Sequence, residues 1–176
     1  MAKSEKQIVE YIEEHILYEL LMLRYSYSQI KSVPSQLDWN AFFVSFTVYG
    51  RNLYDFLLNH RDRNTFAAVD FTDNYRPPKA GTMSAIISRL NEQVAHLGQR
   101  TKDRARKVGL DAATQLFEWI ELHMPTFEAA IRPEYQPYWN RDLADPTKVA
   151  GDAPSAGPTG PTPTRTSIPW TSVNLP

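Results

Sequence analysis

Arg89 and His96 open and close the stretch RLNEQVAH, and an arginine with a histidine is a minimal set of side chains for cutting RNA without a metal. A neutral imidazole takes the proton of a 2′-hydroxyl, while a guanidinium holds the phosphate oxygens in a fork as charge builds in the transition state. The 2′-hydroxyl is the nucleophile, so DNA is spared. At 3.6 residues per turn, seven positions bring Arg89 and His96 back to one helix face, about 10 Å apart along the axis. Gln93 lies between them and Arg100 extends the ridge. Just beyond, QRTKDRARK (Gln99 to Lys107) sets Arg100, Lys102, Arg104, Arg106 and Lys107 against a single acid, which is a place for a phosphate backbone to rest. HRDR, His60 to Arg63, carries charge of the same sign.

Other chemistries have less to stand on. Cysteine is absent, which removes disulfides, thiolate metal sites and cysteine nucleophiles together. His15, His60, His96 and His123 fall on four segments. Glu19 sits one turn from His15 and Glu92 one turn from His96, but the Glu-x-x-His order of carboxylate-bridged bundles is missing, so neither a metal nor a cofactor is expected. There is no glycine-rich phosphate loop and no serine elbow. Glu13, Glu14 and Glu19 read as the solvated face of the first helix.

The elements that position the pair are helical. Ser4 with Gln7 makes a capping box, and Ile8, Ile12, Ile16, Leu20, Leu23, Tyr27 and Ile30 follow at steps of three and four, predicting one helix from about Ser4 to Lys31. Pro34 turns the chain and Ser35 offers the next cap. A second, strongly aromatic helix runs to about His60, carrying Trp39, Phe42, Phe43, Phe46, Tyr49, Leu53, Phe56 and Leu57; it is expected at the centre, touched on several sides. Periodicity lapses from Arg61 to Gly81, a long polar loop of the kind that is often functional or mobile, in which FAAVDF is expected to make a short helical turn. A third helix starts near Thr82 or Ser84 with Met83, Ile86, Ile87, Leu90, Val94 and Leu97 inward. A fourth starts near Leu110 or Asp111 with Ala113, Leu116, Phe117, Ile120 and Met124 inward, until Pro125 ends or kinks it and TFEAAIR adds a turn or two.

No stretch alternates like a strand. The expected fold is all-α, an up-and-down bundle of four main helices over residues 1–135, followed by a Pro-rich linker and disordered tail over 136–176. In that tail SIPW, Ser167 to Trp170, is a candidate partner motif. The 176 residues suit one domain with a real core. Their 19 basic and 20 acidic side chains nearly cancel, so global charge points to no partner. The N-terminus MAKSEKQIVEYIEEH lacks the apolar centre of a signal peptide, and no window approaches the run of about 20 apolar residues that crosses a bilayer. A soluble cytoplasmic protein with no membrane association is the expectation.

Taken together, the long tyrosine- and leucine-rich first helix, YGRNLYDFLLNH (Tyr49 to His60), an acidic loop around Asp70 and RLNEQVAHL (Arg89 to Leu97) resemble the HEPN superfamily, in particular its abortive-infection and toxin-like members, over roughly residues 5 to 130. The resemblance implies a helical bundle that pairs as a homodimer, with an RNase site where the subunits meet and an antitoxin or other protein partner. The family motif is an arginine, usually followed by a polar residue, with a histidine after four to six intervening positions. Arg89 and His96, with six between them, take its catalytic roles, the histidine as general base and the arginine as phosphate clamp. Leu90 stands where the polar residue is usual. Arg51, Asn52 and His60 supply the polar neighbour but have eight residues between arginine and histidine. Asn52 and Asn91 are expected to hydrogen-bond within the bundle. The alternative to an RNase is a catalytically silent bundle that dimerises or binds RNA or protein.

Overall fold

A computed structural model describes residues 3–60, 65–94 and 108–149. Ser4 caps the first helix as its sequence predicts: the Gln7 amide donates to Ser4 Oγ at 3.3 Å and the Ser4 amide donates back to Gln7 Oε1 at 3.0 Å. α1 (Glu5–Glu10) passes through a π-helical turn (Tyr11–His15) into α2 (Ile16–Ile30), so the single long helix contains one widened turn in which the Ile16 amide reaches back to the Tyr11 carbonyl. Ile12, Ile16, Leu20, Leu23 and Ile30 are buried along its inner stripe.

Ser35 caps α3 (Gln36–Leu57) by accepting from the Asp38 amide. Ring contacts fix its direction: Tyr18 meets Tyr49 and Tyr25 meets Phe42, so α2 and α3 run antiparallel. α5 (Leu110–Ala130) is antiparallel to α2 as well, since Tyr27 stacks on Phe117 and Arg24 pairs with Glu121. It runs alongside α3 in the same sense, with Tyr54 against Trp119 and Phe56 against Phe127. With α4 (Met83–Val94) packed on both α3 and α5, the result is the expected all-α bundle of four main helices. Its core runs through Leu23, Phe46, Leu53, Leu57, Leu116, Ile120 and Phe127, each at most 2% exposed.

The chain between α3 and α4 is held down at several described points, from Thr65 to Tyr75. A 3₁₀ turn at Ala68–Asp70 confirms the short turn expected in FAAVDF, with Ala67, Ala68 and Phe71 fully buried. Tyr75 donates to the Leu57 carbonyl at 3.0 Å, and Thr72 bridges to Ile131. Lys3 pairs with Asp70 at 2.6 Å, donates to the Thr65 carbonyl and lies over the Phe66 ring. These contacts pack the stretch from Phe66 to Tyr75 against the bundle, while Arg76, Pro77 and Lys79 beyond it are exposed.

Two expectations change. Pro125 neither ends α5 nor separates a further turn from it; the helix continues to Ala130 because Met124 and Phe127, on either side, are fully buried, whereas Pro125 itself is exposed and its missing N–H lies on the solvent side. The boundary placed at residue 135 falls within packed chain. Turns at Gln136–Tyr138, Arg141–Ala144 and Pro146–Val149 fold back on the bundle, with Ala144 fully buried and Trp139 edge-on to Phe127 at 5.6 Å. Arg24 holds this segment: Nε and Nη2 fork onto Glu121 at 2.6 and 2.9 Å, and Nη1 donates to the Ala144 carbonyl at 2.9 Å. The remainder of the linker and tail expected over 136–176, residues 150–176 with SIPW included, lies outside the described residues.

Candidate functional site

α4 is an amphipathic helix held from beneath. Met83, Ile86, Ile87 and Leu90 are buried, Leu90 at 1% exposure, and Val94 packs against the core. Arg89 follows Ser88 on the opposite side and is exposed, with no ion pair among the described residues. Its backbone is thus fixed by the buried neighbours while its guanidinium is turned to solvent. Leu90, in the place of the polar motif residue, is part of the core. His96, Arg100, Lys102, Arg104, Arg106 and Lys107 lie outside the described residues, as do Leu97 and the rest of the basic string.

The structure brings together the arginine and histidine that their spacing separates. α3 ends at Leu57, and Asn59 takes a left-handed conformation with φ 58°, the position after the helix cap where asparagine is tolerated. The Asn59 amide donates to the Phe56 carbonyl at 3.1 Å and the His60 amide to the Asp55 carbonyl at 2.9 Å, the paired bonds of a Schellman ending. Folding the chain back this way sets His60 Nδ1 3.3 Å from Asp55 Oδ1, while Arg51 Nε approaches Asp55 Oδ2 at 3.6 Å. A carboxylate on Nδ1 fixes the imidazole tautomer and leaves Nε2 as the proton acceptor. His60 and Arg51 are 61% and 50% exposed, so one carboxylate links a guanidinium and an imidazole that both face solvent. Asp55 went unnoticed in the sequence; the signal was the asparagine of LLNH, which marks a helix ending that reverses the chain.

Asn52 does hydrogen-bond within the bundle, donating to both Glu19 oxygens at 3.1 Å across the α2–α3 seam. Glu13 and Glu14 are exposed as expected, but Glu19 is half-buried. Burial raises its carboxyl above the ordinary glutamate value, against the opposing pull of Asn52 and His15. The Tyr49 hydroxyl is pushed up to about 12, first by its hydrogen bond with Tyr18, and burial pushes Tyr11 to about 12. His15 is exposed and packs on Tyr11, whereas His123 sits against Trp119, where burial lowers its pKa. Among the described residues no three metal-ligating side chains cluster, and no helix is long and apolar enough to cross a membrane.

The class of protein that this architecture defines is an all-α bundle of four main helices with an outward arginine on the third. Comparison with family models, curated proteins and solved structures finds no match.

Proposed function

We propose that this chain is a metal-independent endoribonuclease of the HEPN type, a cytoplasmic toxin or defence component that is held in check by an antitoxin-like protein. Arg89 clamps the scissile phosphate and His96 is the general base. Arg100, Lys102, Arg104, Arg106 and Lys107 receive the flanking backbone. The imidazole takes the 2′-hydroxyl proton, the 2′-oxygen attacks phosphorus, and the 5′-oxygen leaves with a proton, giving a 2′,3′-cyclic phosphate and a 5′-hydroxyl end. The observation that supports this reading is the placement of Arg89, exposed on a helix anchored by Ile86, Ile87 and Leu90 beneath it.

The test is cleavage of structured and single-stranded RNA, with chelator present, by the wild type and by Arg89→Ala and His96→Ala proteins of equal thermal stability. Each substitution should lower the rate by about 10²-fold or more. Cleavage that persists undiminished in His96→Ala refutes the site, and loss in His60→Ala instead moves the chemistry to the Asp55-held imidazole at the end of α3. The second reading, a silent RNA- or protein-binding bundle, is favoured by one observation: Leu90 serves the core where the motif has a polar residue. RNA retained without cleavage by any of these proteins decides for it.

A further inference from the structure

Two pairs of aromatic rings lie along the outer seam of α2 and α3. Tyr18 meets Tyr49 and Tyr25 meets Phe42, each pair edge-on with ring centroids 5.9 Å apart. Tyr18 and Tyr25 are 51% and 41% exposed, where a helix that only covers a core presents polar residues. The rings are seven residues apart on both helices, which sets the two pairs about 10 Å apart along the seam. Either hydroxyl of the Tyr18–Tyr49 bond can be its donor, which leaves the other proton for a carbonyl of a ligand. Glu10, Glu14, Tyr18 and Tyr25 follow at steps of four, four and seven and all are exposed, so the tyrosine stripe runs on into acid. Neither glutamate has an ion pair among the described residues.

The chain itself supplies a segment of matching chemistry. Residues 150–176 read AGDAPSAGPTGPTPTRTSIPWTSVNLP, in which Pro158 and Pro161 are three apart and Arg165 follows. Proline-rich chain favours the polyproline II helix, which is pre-formed and loses little further entropy on docking against aromatic rings. With three residues per turn and about 3.1 Å per residue, its i and i+3 prolines recur about every 9 Å, close to the spacing of the two ring pairs. The Arg24 bond to the Ala144 carbonyl and the turn at Pro146–Val149 bring the chain out beside α2. Nine residues lead from Val149 to Pro158, a reach of up to about 30 Å, so the seam is within range of the tail that follows it.

We propose that Pro158–Arg165 docks along the α2–α3 seam of its own chain as a polyproline II segment, with Pro158 against Tyr25 and Phe42 and Pro161 against Tyr18 and Tyr49. Arg165 then falls about 12 Å beyond Pro161, and Glu14 and Glu10 lie about 6 and 12 Å beyond Tyr18 in the same direction, so the one basic side chain of the tail meets the acidic end of the stripe. The tether makes the contact intramolecular, at an effective concentration in the millimolar range. Any other proline-rich segment has to displace the tail to reach these rings. The docking rests on the seam alone and holds whether or not the chain cuts RNA.

The chain has no cysteine, so Thr166→Cys carries a single nitroxide label on the full-length protein, with the reduced label as reference. The expected result is paramagnetic broadening of backbone amide signals from Glu10 to Tyr18 and around Tyr49. Pro158→Ala with Pro161→Ala, a change confined to the tail, should abolish that pattern while the melting temperature stays the same, and Tyr25→Ser should weaken it. Arg165→Glu should lower the docking equilibrium about threefold, since it removes an exposed ion pair. Broadening spread evenly over the surface, or a pattern indifferent to the two proline substitutions, overturns the proposal. So does equal broadening in isotope-labelled chains mixed with separate spin-labelled ones, because the tail would then be reaching a different molecule.

Discussion

Gly50 of α3 faces Leu23 of α2 and Leu116 of α5, and Gly50→Ala sets two effects of known size against each other. In an open helix the change adds stability, about 1 kcal/mol from helix propensity. Here a Cβ would lie 2.8 Å from Leu116 Cδ2 and 3.4 Å from Leu23 Cδ1, and both leucines are fully buried among core neighbours, so the nearer one must shift. Overpacking of this kind costs about 1–3 kcal/mol. Packing therefore wins, and Gly50→Ala should be destabilising by up to about 2 kcal/mol, lowering the melting temperature by about 2–4 °C for each kcal/mol. The decisive measurement is the same substitution in a Leu116→Ala background. Leu116→Ala alone costs about 2–5 kcal/mol, but it removes the clashing methyl, so adding Gly50→Ala there should recover about 1 kcal/mol. The two positions must then couple by about 1–3 kcal/mol in a denaturation double-mutant cycle. Equal effects in both backgrounds, or stabilisation of the wild type, would show that the close approach does not exist.

Three further outcomes follow from the same contacts. Arg24→Ala removes the fork onto Glu121 and the bond to the Ala144 carbonyl; it should cost about 1–3 kcal/mol and speed proteolysis or amide exchange within residues 136–149, and unchanged protection there would refute the anchor. Glu19→Gln keeps an acceptor for Asn52 while removing the charge. Because burial raises the Glu19 carboxyl, the folded state binds that proton more tightly than the unfolded chain, so the wild type loses stability as pH rises through the folded-state value. The glutamine protein should melt higher than the wild type at neutral pH, with the difference closing as pH falls below the usual glutamate value of 4.5, and a lower neutral melting temperature would reverse the argument. Leu90→Asn, which restores a polar motif residue, should cost about 2–5 kcal/mol by burying an amide in place of a packed leucine; an undiminished melting temperature would mean that Leu90 is not core.

Helix starts and core faces were legible because their causes are local. Ser4 and Ser35 cap the helices they precede, and the residues expected inward on α4 from Met83 to Leu90 are buried. What went unread depends on distant partners. Nothing in the composition of 136–149 announces that Arg24, 120 residues before Ala144, will hold that segment down. Glu19 looks solvated on its own helix and becomes half-buried only when Asn52 arrives on the facing one. Pro125 obeys its local rule of breaking helices until Met124 and Phe127 are seen to be buried on both sides of it.

The same division between local and distant causes recasts the departure at Leu90. Treated as a string, an arginine followed by leucine is a damaged motif. In the bundle, the leucine is what gives the arginine a fixed base: successive helix positions point about 100° apart, so burying position 90 turns position 89 outward and keeps it there. A polar neighbour would steady the guanidinium from the side, whereas Leu90, Ile86 and Ile87 steady its backbone from below. On the proposed reading, the clamp then depends on the stability of α4 against α3 and α5, and substitutions in that seam should weaken cleavage without touching Arg89 or His96. Arg51, in the last two turns of α3, is set up differently: its steadying contact is the Asp55 carboxylate beside it, which the reversed chain also brings against His60. Activity that falls with the α4 seam belongs to Arg89, and activity that falls with Asp55 belongs to Arg51 and His60.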